Sequence, residues 1–297
     1  MNPKKEKIDA YIILSGLPGD MATKIKDRII DLPNFDLVQR FFQGLVPHDG
    51  THPEYEKRFA LTGNQIKGKS IDSRFIENYE NQHDIKLVSP VDHQSIISLA
   101  STNYSGKIIG INFATAEGYN VNHLFAYYNI PFISGVTGVN KEQENDLEMR
   151  IKDSNICAVI DKNMSVPLVL ISEMLKHISG EFSNSLTGFS GYGIDSHQKT
   201  KKDNVSGTLT KWSEYLDALG ISFYCADGDR TAEYGHGDHF IRIASPEGDV
   251  KITLQTEVLG RTTYIDGVIN HALPFLLNKM ISGKKGQIYS MGDVLRG

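Results

Sequence analysis

Cysteine is scarce in this chain: Cys157 and Cys225 are the only two in 297 residues. That excludes a small disulfide-stapled secreted fold. Both lie in apolar runs and neither belongs to a Cys-x-x-Cys pair, so they are expected to be reduced core residues. Long hydrophobic runs are also lacking. No stretch reaches the ~18 apolar residues of a membrane span, and the apolar run in the opening MNPKKEKIDAYIILSGL is too short for a signal peptide. A cytoplasmic location without membrane partners is expected. Positive charge is not in excess: the formal net charge of −5 argues against wholesale nucleic-acid binding. Internal repeats, low-complexity tracts and long linkers are absent. What remains is an ordinary globular composition, 40% apolar and 23% charged, with length enough for one large domain or two intimate ones.

The first half alternates short apolar runs with helical patterns. AYIILS (10–15), RFALTG (58–63), IKLVSP (85–90), KIIGINF (107–113), PFISG (131–135) and NICAVID (155–161) read as strands. GDMATKIKDRIIDL reads as a helix with Met21, Ile25, Ile29 and Ile30 on one face. Continuous apolar strands separated by helices predict a parallel sheet covered on both faces. Residues 34–84 hold either the second strand with its loop or an insertion before RFALTG.

The second half changes character. Residues 165–182 and 208–220 read as helices, the latter with Leu209, Trp212, Tyr215, Leu216 and Leu219 on one stripe and Gly220 as its stop. ISFYCA, HFIRIAS and KITLQTEV follow as strands divided by turn signals; Ile252, Leu254 and Val258 share a face at period two. YIDGVINHALPFLLNKMISG closes as a helix kinked at Pro274. The fold class is α/β: a Rossmann-like dinucleotide-binding domain plus an α+β domain with a mixed sheet. The expected boundaries are 1–165, completed by 263–297, for the dinucleotide-binding domain and 166–262 for a substrate-binding and oligomerisation domain.

Three loops sit where parallel sheets bind ligands, at the carboxyl ends of strands. In SGLPGDMA, Gly16 and Gly19 permit a tight turn, and the following helix N-terminus offers N–H groups to a pyrophosphate. NFATAEGYNVNHL (112–124) and SGVTGVN (134–140) follow later strands and complete a dinucleotide crevice. In the second half, IDSHQKTKKDNVSGTL (194–209) concentrates reactive groups. Ser206 stands at an N-cap position, so Ser206, Gly207 and Thr208 can present N–H groups and hydroxyls to a carboxylate. His197 is the candidate acid or base, and Lys201 can supply a fixed charge or a proton. Taken alone, the stretch is equally a solvated basic loop.

The whole pattern resembles dihydrodipicolinate reductase (4-hydroxy-tetrahydrodipicolinate reductase), in its plant-like branch. That family's catalytic segment runs Glu-x-His-(His or Gln)-x-x-Lys-x-Asp-x-x-Ser-Gly-Thr. Here it reads Asp195-Ser-His197-Gln198-Lys-Thr-Lys201-Lys-Asp203-Asn-Val-Ser206-Gly207-Thr208. SGLPGDMA, INFATAEGYNVNHL, ISGVTG, DKNMSVPLVL, VLGRTTYIDGVINHALPFL and GQIYSMGDVLRG resemble further family segments in the same order, leaving only about 34–84 outside.

The resemblance implies an oxidoreductase: NADPH or NADH reduces a cyclic unsaturated dicarboxylate, 4-hydroxy-tetrahydrodipicolinate, to tetrahydrodipicolinate in the diaminopimelate route of lysine biosynthesis. It makes His197 and Lys201 the catalytic acid/base pair and Gln198, Ser206, Gly207, Thr208 and Arg261 the substrate-binding set. It assigns the cofactor to Gly16, Pro18, Gly19, Asp20, Met21, Phe113, Ala114, Thr115, Gly135, Thr137, Asn163 and Met164. It calls for no metal, and for a homodimer or homotetramer built through the second domain. Lys199 and Lys202 are left to solvent.

The sequence departs from the family at several points. Asp195 replaces Glu, Thr256 stands where a histidine is usual five residues before Arg261, Ala114 and Ala116 replace Thr and Pro, and Val205 replaces Pro. ALTGNQIKGK has no acid for a ribose hydroxyl but carries Lys67 and Lys69, which favours NADPH. His236, Asp238 and His239 in YGHGDH read as a polar turn rather than a metal site, and KEQENDLE as a solvated helix face. Two other functions compete: a related dehydrogenase acting on another small acid, and a catalytically silent NAD(P)-binding regulatory protein.

Overall fold

The computed structural model describes residues 9–37, 58–63, 65–66, 69–70, 73–83, 85–104, 106–198, 205–232, 237–283 and 285–297. The chain divides into two compact units, Met1–Met164 with Ile265–Gly297, and Ser165–Tyr264.

The first unit opens with β1 (Ala10–Leu17), α1 (Asp20–Asp31), β2 (Phe35–Leu37), β3 (Arg58–Thr62) and a two-stranded hairpin of β4 (Gln65–Ile66) and β5 (Lys69–Ser70). It continues through α2 (Ser73–His83), β6 (Ile85–Val88), α3 (His93–Asn103), β7 (Ile108–Asn112), α4 (Asn120–Tyr127), β8 (Phe132–Ser134), α5 (Lys141–Ser154) and β9 (Cys157–Ile160). The main sheet, which includes β15 (Gln287–Tyr289) from the chain's end, runs β15-β9-β8-β7-β1-β3-β6 and is parallel throughout. The near-unbroken apolar strands follow from this, since both faces are covered. Ile12, Ile13, Leu14, Ile109, Ile111, Phe132 and Ile133 are buried, as are Ala22, Ile25 and Ile29 of α1. Each of the larger apolar side chains contributes roughly 1.5–3 kcal/mol by leaving water.

The second strand is more elaborate than the sequence suggests. Two short strands share one edge of β1: β2 pairs its beginning, Ala10↔Phe35, and β3 its end, Ser15↔Leu61. The α5 face read as solvated carries the ion pairs Asp146–Arg150 and Glu148–Lys152, behind a capping box of Asn140 and Gln143.

The second unit begins with α6 (Val166–Glu181) and β10 (Ser190–Gln198), followed by α7 (Gly207–Ala218), β11 (Ser222–Cys225), β12 (Asp229–Ala232), β13 (Asp238–Ala244) and β14 (Lys251–Thr256). The sheet runs β11-β10-β13-β14, with β12 also on β10. It is mixed: β11 and β12 lie parallel to β10, whereas β13 and β14 are antiparallel neighbours. One face packs under α6 and α7 around Trp212, whose indole N–H donates to Ser172 Oγ at 2.7 Å. The stripe read on α7 is this contact: Leu209, Trp212, Leu216 and Leu219 are buried, Tyr215 packs against them, and Gly220 ends the helix at φ +87°. In β14, Leu254 joins the core, Ile252 is exposed, and Val258 is buried beyond the strand's end.

The chain closes with α8 (Thr262–Asp266), a π-helical stretch (Gly267–Ala272), α9 (Leu273–Ile281), β15 (Gln287–Tyr289) and α10 (Met291–Arg296). The irregularity precedes Pro274, which lies in the first turn of α9, where its missing N–H costs least. Gly267 is required here: a Cβ would run into the Met164 carbonyl. Among the described residues, no helix is long and apolar enough to cross a membrane.

Candidate active site

In the first unit, the ends of β1, β7 and β8 form a cradle of backbone. Gly16 adopts φ +106°, and a Cβ there would lie 2.7 Å from Ala114 N and Phe113 C. Gly19 N–H donates to Gly16 O at 2.9 Å, closing the turn, and Gly19 is the N-cap of α1 with no side chain capping it. The helix's first N–H groups and the positive end of its dipole therefore face the turn, the donor set an anion requires. Pro18 is buried after a cis peptide bond, Asp20 is exposed and Met21 half-buried at the helix start. Phe113 N–H donates to Ser15 O at 3.1 Å, and its ring lies over Gly135, where any Cβ would collide with it. Ala114 is half-buried; Thr115 and Thr137 are on the loops after β7 and β8.

Beneath these loops lies a buried polar chain that no sequence pattern marks. Asn112 Nδ2 donates to Asn122 Oδ1 at 2.9 Å and to Gly118 O at 3.1 Å, while its Oδ1 accepts from Ala114 N at 3.1 Å. Asn122 Nδ2 donates to Ser134 Oγ at 2.9 Å. Asn112, Asn122 and Ser134 are buried, so this chain fixes both loops in a low-dielectric setting. At the end of β9, Asp161 accepts from Asn163 N at 3.0 Å and from Met291 N at 2.9 Å. Asn163 and Met164 thus stand at a junction with α10. Lys69 opens β5, the second strand of the short pair that follows β3; Lys67 is outside the described residues.

In the second unit, the segment read as a loop begins as strand. Asp195, His197 and Gln198 close β10, and Ser206 is the N-cap of α7. Asp195 is fully buried; its Oδ2 accepts a 2.7 Å hydrogen bond from Ser206 N and lies 3.3 Å from His197 Nε2. Ser206 Oγ accepts from Leu209 N at 3.2 Å and contacts His239 Nε2 at the same distance. Both polar groups of Ser206 are therefore engaged within the protein, and Gly207 and Thr208 occupy the outer surface of the helix start. Gly237, at φ +154°, passes so close to His197 that a Cβ would strike its ring. Arg261 is half-buried between β14 and α8 beside Tyr264, whose hydroxyl burial pushes up to about 12. Lys201, with Lys199, Lys202 and Asp203, lies outside the described residues.

His239 departs from the polar turn that its sequence neighbours suggest. It is buried on β13, and its Nδ1 lies 3.1 Å from Thr256 Oγ1. The signal is weak because it resides in strand register rather than spacing: His239 pairs with Asp195 on one side and Thr256 on the other. Asp195, His197 and His239 bring donor atoms within 4.8 Å of one another, the one such group among the described residues. Asp195 and His239 already bond Ser206 and Thr256, so hydrogen bonding accounts for their approach. Of YGHGDH, Asp238 Oδ1 accepts from Val258 N at 3.3 Å, and His236 lies outside the described residues.

Fold and sites define a class: a two-unit protein with a dinucleotide-type parallel sheet and a mixed-sheet unit bearing a buried Asp–His pair. No family model matches the chain. It is 28% identical over 229 residues to probable 4-hydroxy-tetrahydrodipicolinate reductase 1, chloroplastic, of Oryza sativa subsp. japonica; this covers 72% of the chain and 65% of that protein. It is 26% identical over 246 residues to the 4-hydroxy-tetrahydrodipicolinate reductase of Methanospirillum hungatei, covering 74% and 92%. Among solved structures, the dipicolinate-bound dihydrodipicolinate reductase from Paenisporosarcina sp. TG-14 has the same fold, with a TM-score of 0.60 over 95% of this chain and 98% of that one, at 12% identity. The chain is a homologue of the 4-hydroxy-tetrahydrodipicolinate reductases of plants and archaea. It spans 65% of the length of the rice relative.

Proposed function

We propose that this chain is a 4-hydroxy-tetrahydrodipicolinate reductase using NADPH in preference to NADH. The observation that carries the proposal is the buried Asp195 carboxylate, which joins His197 to the N-terminus of α7. An acid/base group and an anion-binding helix start are thereby fixed together, as reduction of a cyclic dicarboxylate requires.

The glycine turn at Gly16–Gly19 and the uncapped start of α1 fit a pyrophosphate; Phe113, Ala114, Thr115, Gly135, Thr137, Asn163 and Met164 complete the cofactor side. A bound nicotinamide supplies the hydride. Lys69 and Lys67 favour the extra phosphate of NADPH. On the substrate side, Gly207 and Thr208 offer N–H groups of the helix start, and Arg261 and Gln198 complete the carboxylate grip. Asp195 orients the His197 ring, and His197 with Lys201 delivers the proton, a contribution of ~10²–10⁴ in rate. Ser206 shapes the turn through its internal bonds.

The oligomer we propose is a dimer or tetramer built on the open sheet face of the second unit. Tyr192 stacks on Tyr224 with ring centroids 5.8 Å apart and meets Phe240 at 6.1 Å; Tyr224 and Ile194 are exposed. A second copy of this face is the partner that would cover it. A reducing cytoplasm suits Cys157 and Cys225, which form no disulfide.

Titrating NADPH fluorescence with pyridine-2,6-dicarboxylate tests the site. A ternary complex that Arg261→Ala weakens supports it; no ternary complex contradicts it and favours a dehydrogenase for another acid.

A further inference from the structure

Three paired positions form a row across the second sheet: Asp195 on β10, His239 on β13 and Thr256 on β14. Directly paired residues project to the same side, here towards α7. The His239 ring lies 5.2 Å from that of Trp212 and edge-on to His197 at 5.7 Å. The histidine of this row meets the N-cap of α7 at one atom, Ser206 Oγ.

The hydrogen bonds leave little freedom. Ser206 Oγ already accepts from Leu209 N, as an N-cap does. It has one proton to donate, and it is buried. If His239 carried its proton on Nε2, Ser206 would accept twice and its own O–H would lose the ring nitrogen as an acceptor, at a cost. With the proton on Nδ1, every donor is served. Ser206 O–H donates to Nε2, and Nδ1–H donates to Thr256 Oγ1. The Thr256 hydroxyl is half-exposed and can direct its own proton to water.

We propose that His239 is a positioning residue, held by Thr256 as the neutral Nδ1–H tautomer so that Ser206 keeps α7's first N–H groups set for the substrate's carboxylate. Its effect on turnover rests on the reductase assignment; its tautomer does not. Thr256 thereby acquires a specific role, as the acceptor that selects which nitrogen of His239 carries the proton. Removing that acceptor without changing volume releases the selection.

The test uses full-length protein with ¹⁵N-labelled histidine, the His239 signals being identified by their loss in His239→Gln. Long-range ¹H–¹⁵N spectra are expected to show a protonated Nδ1 and an unprotonated Nε2 in the wild type. Thr256→Val is expected to mix the tautomers, to weaken pyridine-2,6-dicarboxylate binding about tenfold, and to raise substrate KM more than it lowers kcat. Thr256→Ser restores all three. A wild-type Nε2–H tautomer would overturn the proposal, as would Thr256→Val with unchanged tautomer and dicarboxylate affinity. The spectra need no turnover, so an inactive wild-type protein with the expected tautomer contradicts the reductase assignment alone.

Discussion

Asp195 accepts a 2.7 Å hydrogen bond from the backbone nitrogen of Ser206, eleven residues away, from a position with no exposure to solvent. A buried carboxylate is stable only when its oxygens are satisfied. Here the same oxygen serves the helix start and the His197 ring, so in the proposed reductase substrate grip and proton delivery would share one anchor. Asp195→Asn keeps the shape and removes the charge. We expect stability to fall by about 1–3 kcal/mol and kcat to fall tenfold or more, with NADPH affinity unchanged. Denaturant melts and steady-state kinetics check this; normal kcat would remove Asp195 from the site.

Gly237 lies against His197 so closely that a side chain has no room, and its φ of +154° disfavours one in any case. Gly237→Ala should turn the His197 ring away. Turnover is expected to fall by about an order of magnitude, equivalent to about 1.4 kcal/mol, while cofactor binding stays near normal. Comparing kcat with the NADPH dissociation constant separates a local effect from general unfolding.

Asn122 connects Asn112 to Ser134 under the first unit's loops. Asn122→Leu removes one hydrogen bond from Asn112 Nδ2, which keeps Gly118 O, and one from Ser134 Oγ, which keeps Val136 N–H. The loss should be about 0.5–1.5 kcal/mol for each bond removed. Because both loops rest on this chain, the KM for NADPH should also rise while pyridine-2,6-dicarboxylate contacts are spared. Calorimetry and cofactor titration measure the two effects.

His93 provides a pH test of the first unit. Burial holds its pKa below the usual 6.5, the main cause, while its bond to Val88 O at 3.1 Å and nearby Asp92 act the other way. Between the folded and unfolded pKa values the unfolded chain binds more protons, so stability rises with pH there. The contribution is intact above 6.5 and is lost as pH falls below 6.5 towards the folded value. His93→Gln should lose stability less steeply than wild type over that range. Identical slopes in pH-dependent denaturant melts would refute the assignment.

The sheet of the first unit was legible because buried parallel strands must be apolar on both sides, and Ile12–Leu14, Ile108–Ile111 and Phe132–Ile133 state that directly. β10 was not. Gly191 and Gly193 alternate along it, since a Cβ at either position would meet Phe223, Ile243, Leu209 or the Arg242 carbonyl, and glycine carries no strand signal. The sheet edge shared by β2 and β3 depends on pairing that no local pattern encodes. In the same way, the motif from Asp195 to Thr208 was legible by spacing, whereas His239 and Thr256 enter through register across three strands. The Asn112–Asn122–Ser134 chain is silent in the sequence because buried amides look like ordinary turn residues until their partners are known.

Reductase activity itself is measured by supplying 4-hydroxy-tetrahydrodipicolinate from a coupled synthase and following NADPH and NADH oxidation by the wild type and Lys201→Ala. The wild type is expected to oxidise both, NADPH faster, and Lys201→Ala to lose about 10²-fold or more in kcat with cofactor binding retained. No oxidation of either cofactor by the wild type would contradict the reductase assignment.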